Sequence, residues 1–236
     1  MTKTLLINST DRYDGTSTNF KLDMRNSYKV KNVKLLHCRI PVTWHNIDSY
    51  NNTILFNEGG SNLTATLTQG SYNISDLQTE IETQMDSAGA DIYTVTYDKK
   101  TMKITISSTG TFSLLFGTSS SEIYEILGFD NIDTSTASSQ TGNNVIDLIR
   151  VKNILIKIPE LGIFGRSTND DDKYTFIIPV NQNRSEFIRF NDNDNFNQIK
   201  ILDDRLITEL TIIVKDERNR ALELNSSEIC LILELC

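Results

Sequence analysis

The 236-residue sequence predicts a mainly-β sandwich interrupted by a small α/β segment, and three observations carry that prediction. Its 28 Ile and 23 Asn together exceed a fifth of the chain. β-Branched residues suit the pleated, half-buried surface of a strand, and Asn tolerates turn geometry. Short apolar runs recur between polar turns at roughly 8–12 residues, the spacing of sandwiches and barrels. The net charge of −8 is also partitioned: +4 over residues 1–52, −8 over 53–142 and −4 over 143–236.

At the amino-terminal end, residues 3–8 form a short apolar run, and residues 19–24 alternate. Residues 28–40 (YKVKNVKLLHCRI) set Val30, Val33, Leu35 and Leu36 among lysines. Pro41 stops that strand because it has no N–H to donate to a ladder. The turn-rich stretch TWHNIDSYNN follows.

The middle segment changes character. Residues 63–73 (LTATLTQGSYN) alternate like a strand and end in a turn. Ser75 and Gln78 have the spacing of a capping box, and Leu77, Ile81 and Met85 share one helical face. A helix is therefore expected from Ser75, with Gly89 just beyond its end. YTVTY (93–97) and MKITIS (102–107) flank an Asp-Lys-Lys turn and read as a hairpin. Residues 112–116 add another strand. Ser119 and Glu122 form a second capping box, opening a short helix that buries Ile123, Ile126 and Leu127 and exits at Gly128. TSTASSQTGNN (134–144) reads as a polar loop.

Beyond it the β pattern returns in residues 145–149, 153–158, 174–180, 186–190, 206–215 and 228–235, with a charged turn at 216–220. The expected organisation is a β-sandwich built from residues 1–52 plus 143–236, with 53–142 as an acidic α/β insertion of hairpins and two short helices.

Composition excludes several function classes. No stretch approaches the ~18 apolar residues that span a bilayer, and MTKTLLINSTDRYDG lacks the pattern of a secretory signal. An acidic chain repels phosphate, so direct nucleic-acid binding is disfavoured. Cys38, Cys230 and Cys236 have neither CxxC spacing nor even number, and Cys38 and Cys230 sit in the apolar runs LLHCRI and EICLILELC. They are expected to be buried, reduced thiols, as in a reducing compartment.

A search for catalytic chemistry finds little. The two histidines are His37 and His45. His37 neighbours Cys38 on a strand, so the two side chains point to opposite faces and make no nucleophile–base pair. No GxSxG, SxxK, GxxxxGK[ST] or GxGxxG occurs in a suitable context. Asp170, Asp171 and Asp172 form one acidic cluster, and Asp192, Asp194 and Asp203 another. Set against a calcium loop starting at Asp192, Phe196 occupies a ligand position, Asn197 replaces the glycine and Asp203 the closing Glu, so solvated turns are expected. Lys29, Lys31 and Lys34 lack interleaved aromatics and read as a solvated strand face. Six N-x-[ST] sequons, at Asn8, Asn51, Asn62, Asn73, Asn183 and Asn225, follow from the abundance of Asn. No catalytic, cofactor-binding or metal-ligating residue is assigned, and no enzyme is expected.

Several phrases occur in a particular order. They are Ile7-Asn-Ser-Thr-Asp-Arg12, Ser17-Thr-Asn-Phe20, Val33-Lys-Leu-Leu with Ile40-Pro41, Trp44-His-Asn-Ile47 and Asn51-Asn-Thr-Ile54. After them come Gly70-Ser-Tyr-Asn73, the Leu77/Ile81 helix, Tyr93-Thr-Val-Thr-Tyr97, Lys103-Ile-Thr-Ile106 and Leu127-Gly-Phe129. Over about residues 5–130 this course resembles the penton (minor capsid, vertex) proteins of virophages, polinton-like viruses and related large DNA viruses. The resemblance implies a single jelly roll of two four-stranded antiparallel sheets. It implies a homopentamer at an icosahedral vertex, in contact with the double-jelly-roll major capsid protein, in a virion assembled from proteins made in the host cytoplasm. Insertions in such proteins rise outward, which makes 53–142 an acidic crown and a host receptor a candidate partner for it. A ring interface is head-to-tail, so two different faces must match, and the +4 first segment is a candidate to meet acidic neighbours. The family offers no catalytic residue and no cofactor.

Two other classes remain open from the residues. One is a cement or minor capsid protein lying between capsomers. The other is a carbohydrate- or receptor-binding β-sandwich module, whose sign is Trp44, Tyr50 or Tyr93 exposed beside a shallow groove. A hydrolase ranks last, with two histidines and no nucleophile motif.

Overall fold

Alternating apolar and polar residues in the first 41 positions resolve into β1 (Lys3–Asn8), β2 (Asp14–Gly15) and a strand of 23 residues, β3 (Asn19–Pro41). The computed structural model describes residues 2–161, 165–166, 173–191 and 198–236, with backbone alone at 165, 166, 173 and 199–205. The middle of the chain forms β4 (Thr53–Glu58), β5 (Ser61–Thr66), α1 (Ile74–Ala88), β6 (Tyr93–Asp98), β7 (Lys103–Leu114), α2 (Ile123–Leu127) and β8 (Ala137–Thr141). The remainder forms β9 (Asn153–Lys157), β10 (Gly165–Arg166), β11 (Lys173–Tyr174), β12 (Phe176–Pro179), β13 (Phe187–Asn191), β14 (Gln198–Asp216) and β15 (Cys230–Leu235). Residues 1–44 with 151–236 form one unit and residues 45–150 a second.

The first unit is a jelly-roll sandwich whose two antiparallel sheets share β3. Strand β14 pairs along β3 from Asn19 to Lys34 and continues to β9 and β12, and β2 pairs with β3 at Phe20 and Lys21. The carboxy-terminal part of β3 pairs with β15 and β13, and β15 with β1. Within the β14 ladder, β3 takes five steps from Asp23 to Tyr28 while β14 takes two, from Glu209 to Ile207. Arg25 there adopts a left-handed φ of 55°, and its N–H donates to Asp23 Oδ1 at 2.8 Å. Extra residues in one strand bend it and increase its twist, which lets one strand serve both layers. Phe20, Leu22 and Met24 from one end of β3 and Val33, Leu35, Cys38 and Ile40 from the other enter a single core with Ile154, Ile156, Leu231 and Leu233.

The second unit is a five-stranded sheet in the order β5-β4-β7-β6, with β8 added alongside β7. Helix α1 packs on β5 and β6 and buries Leu77, Ile81 and Met85, the three positions its periodicity indicates. Helix α2 ends at Gly128 with φ 75°, where a Cβ would meet the Asn144 carbonyl oxygen at 2.5 Å. Glycine is needed there on both counts.

Several local expectations change. Helix α1 starts before Ser75, because Asn73, extended at φ −84° and ψ 176°, accepts from the Asp76 N–H at 2.9 Å. Ser119 and Glu122 make no capping box: Ser119 Oγ accepts from the Ser121 N–H and Ser121 Oγ from the Ile123 N–H, a succession of turns. Residues 112–114 continue β7 rather than forming a separate strand. The polar 134–144 stretch contains β8, whose hydroxyls pair with those of β7: Thr141 with Thr105 at 2.9 Å, Ser139 with Ser107 at 3.1 Å. Its inward Gln140 satisfies the Phe112 and Ser135 carbonyls instead of filling apolar space. Residues 145–149 are not a strand; Ile146 and Asp147 donate singly to the Met102 and Ile126 carbonyls. Residues 19–24 and 28–40 belong to one strand. The unit junctions fall at 44/45 and 150/151, eight residues outside the boundaries that charge marks.

A clamp accounts for that position. Arg150, with its side chain 5% exposed, donates through Nε to Asp48 Oδ2 at 3.3 Å and lies 3.3 Å from Glu122 Oε2 through Nη1. It ties the last residue of the second unit to its first turn. Arg150→Met is expected to lower stability in urea denaturation by about 2 kcal/mol, less than for a fully buried pair because both carboxylates keep 30% exposure. Asn73→Ala is expected to cost about 1 kcal/mol and Ser75→Ala under about 0.5 kcal/mol. The reverse order would return the cap to Ser75.

Candidate interaction surface

Register alone builds a surface on the β1-β15-β3-β13 sheet. Ile7, Leu231, Cys38 and Phe190 pair in one row and face the core. Alternation then turns the next row, Asn8, Cys230, Arg39 and Arg189, outward. A further outward row holds Leu6, Ile232, His37 and Asn191. On the other side, Pro41 pairs with Phe187. The Arg39 guanidinium carbon lies 3.9 Å from the Phe187 ring centroid, a stacked cation–π contact. Beside it opens a groove of about 380 Å3 lined by Thr10, Arg39, Pro41, Phe187, Ile229 and Cys230.

One rim of this groove is fixed by a polar network. Ser9 Oγ accepts from the Ile229 N–H at 2.8 Å and donates to Glu228 in a short hydrogen bond. Arg12 Nη1 donates to Glu228 Oε2 at 2.9 Å and to the Ser9 carbonyl at 2.5 Å. The Ser9 hydroxyl, then Arg12, hold the Glu228 carboxyl below its ordinary 4.5, against an opposing effect of burial. At the row's centre, two arginines sit directly opposite each other, an arrangement that costs stability. Among the described residues neither Arg39 nor Arg189 has a carboxylate partner, and both are exposed.

The thiols divide by row. Cys38 is fully buried, and burial pushes its thiol up to about 12. Cys230, expected to be buried, is half-buried because it shares the outward row with Arg39; burial raises its thiol and the Arg39 charge opposes that. Cys236 is exposed, and all three are free. His37, half-buried, contacts Asn191 Oδ1 through Nδ1 at 2.7 Å and faces away from Cys38. His45 is half-buried in the second unit.

Other sequence candidates scatter. Lys29 and Lys31 are exposed and Lys34 lies opposite Glu234 across the ladder. Asp170, Asp171, Asp172, Asp192 and Asp194 lie outside the described residues, as does the side chain of Asp203. Among the described residues no group of three or more His, Cys, Asp or Glu could hold a metal. Trp44 is 8% exposed and Tyr93 2%, so of the three aromatics that would mark a glycan platform only Tyr50, at 46%, faces solvent. In the second unit, Thr94, Ser107 and Ser139 pair in one row and Thr96, Thr105 and Thr141 in the next, an outward face of hydroxyls without an aromatic. Sequence reading missed Arg39, Phe187 and Arg189, since their juxtaposition depends on β13 pairing with β3 across 146 to 150 residues.

Glu228 carries a pH prediction. Its folded pKa lies below the unfolded one, so its contribution is present above pH 4.5 and lost as pH falls through the folded value. Glu228→Gln is expected to flatten the fall in Tm on the acid side of pH 4.5 relative to the wild type. Parallel Tm profiles for the two proteins would remove Glu228 from the acid response.

No protein-family model matches this sequence, and no curated protein matches it. Among solved structures, the crystal structure of the mavirus penton protein is similar in fold, with a TM-score of 0.55 at 13% identity, covering 99% of this chain and 98% of that one.

Proposed function

We propose that this chain is a structural capsid protein that forms the penton at icosahedral vertices. The observation that carries the reading is the likeness to the mavirus penton protein along essentially the whole of both chains, inserted unit included. At 13% identity that likeness speaks for the fold. The capsid role is inferred from it together with the ordered phrases between residues 5 and 130 that resemble penton proteins. On this reading the partners are four further copies of the chain and the double-jelly-roll major capsid protein, the location is the virion vertex, and no catalysis is involved.

The sandwich of residues 1–44 and 151–236 supplies the wall of the ring, and residues 45–150 supply the outward crown. That crown segment holds thirteen Asp/Glu against four Lys/Arg, whereas the sandwich segments hold eighteen against nineteen. Acidity on the outward part of the crown keeps an assembled vertex soluble, and its remaining carboxylates are available to a neighbouring copy.

Native mass measured by mass photometry across concentration and salt is expected to show a species near five times 26.7 kDa. If the chain alone stays monomeric, co-expression with the major capsid protein is expected to place it at five-fold positions. A stable dimer or trimer, or its absence from vertices in co-assembled particles, overturns the reading.

A further inference from the structure

We infer that the outward face of the β1-β15-β3-β13 sheet is the half of the subunit interface that receives an acidic surface of a second copy, with Arg39 and Arg189 as its anion-reading pair. The inference rests on the self-assembly proposed above and names the surface that performs it.

Three observations carry it. Arg39 and Arg189 are cross-strand neighbours, exposed, and without a carboxylate among the described residues. Like charges placed directly opposite destabilise a sheet, and a third, anionic group bound by both removes that repulsion. Phe187 stacks on Arg39 at 3.9 Å and holds its planar fork in one orientation before any partner arrives. Around the pair lie exposed apolar groups a protein partner can cover: Leu6 at 58% exposure and Phe187 at 37%. A phosphate backbone gains nothing from such apolar groups, and a chain of net charge −8 repels it.

The occupant follows from charge. Residues 45–150 carry a net −9 and residues 1–44 with 151–236 a net +1, so every copy brings both an acidic surface and the basic face to receive one. A heterologous contact of this kind closes into a ring when its rotation permits.

Charge reversal tests it on the full chain. Arg39→Glu with Arg189→Glu is expected to raise the dissociation constant for self-association at least tenfold, and Arg39→Lys with Arg189→Lys much less, with circular dichroism and Tm reporting that each still folds. In the lysine variant, zero-length carbodiimide coupling is expected to join residues 39 and 189 to carboxylates of residues 45–150 in the oligomer band. Wild-type assembly that charge reversal leaves intact, or coupling confined to residues 1–44 and 151–236, overturns this inference and leaves the vertex reading standing. Loss of oligonucleotide retention with unchanged oligomer mass assigns the face to nucleic acid and overturns it likewise. A wild-type chain that neither self-associates nor enters vertices overturns both.

Discussion

One strand has to belong to two sheets, and the first unit depends on that. β3 spans 23 residues and has different partners along its length: β2 near its start, β14 from Asn19 to Lys34, and β15 and β13 from Val33 to Pro41. A strand that passes from one layer to the other has to bend while keeping its apolar side on the shared core. The chain meets this with irregularities. Between Asp23 and Tyr28 the extra residues sit in β3, and between Val30 and Asn32 they sit in β14. At Leu36 a further β3 residue falls opposite the step from Ile232 to Leu233. The buried set of β3 runs Phe20, Leu22, Met24 and Val30, then Val33 and Leu35, then Cys38 and Ile40, so the inward parity changes after Val30 and again at Leu36.

The Leu36 bulge also determines the outward surface. Without it Cys38 would keep the parity of Leu36 and face solvent, and Arg39 would point into the core. With it, Cys38 becomes a small buried hydrophobe whose thiol is raised to about 12, and Arg39 is presented beside Arg189. The same local defect thus protects a thiol and exposes a guanidinium.

Legibility followed the range of the forces involved. The α1 face, the β6–β7 hairpin and the Gly128 exit were readable because each depends on residues within a turn or two. Capping was less legible: Asn73 and Ser75 both precede a helical pattern, and only backbone geometry shows which one accepts the first free N–H. β8 was hidden because its inward side carries Gln140, a polar residue satisfied by two carbonyls, so the alternation that marks a strand is missing. Val145 and Ile149 misled in the opposite direction, since β-branched residues favour strands only where a partner strand exists, and both remain exposed. The Arg39–Arg189 row was out of reach, because no local pattern states that residue 189 will pair with residue 39.

The two units solve different electrostatic problems with the same alphabet. In the second unit, acidic groups are spent on local order: Glu58 accepts from the Ala90 and Asp91 N–H groups and from the Tyr93 hydroxyl, and Asp98 caps its hairpin turn through the Lys100 N–H and Thr101. Arg150 then closes the unit against Asp48 and Glu122. Removing charge there would loosen the fold itself. In the first unit, Arg12 is absorbed in the same way by Glu228 and Ser9, while among the described residues Arg39 and Arg189 meet no carboxylate. A neutral residue at position 189 would relieve that like-charge contact, whereas one at position 39 would also remove the stack on Phe187. Two adjacent exposed guanidiniums on one sheet face, one of them held by an aromatic ring, form the anion-reading geometry inferred for the subunit interface, to which the net negative charge of residues 45–150 is the complement.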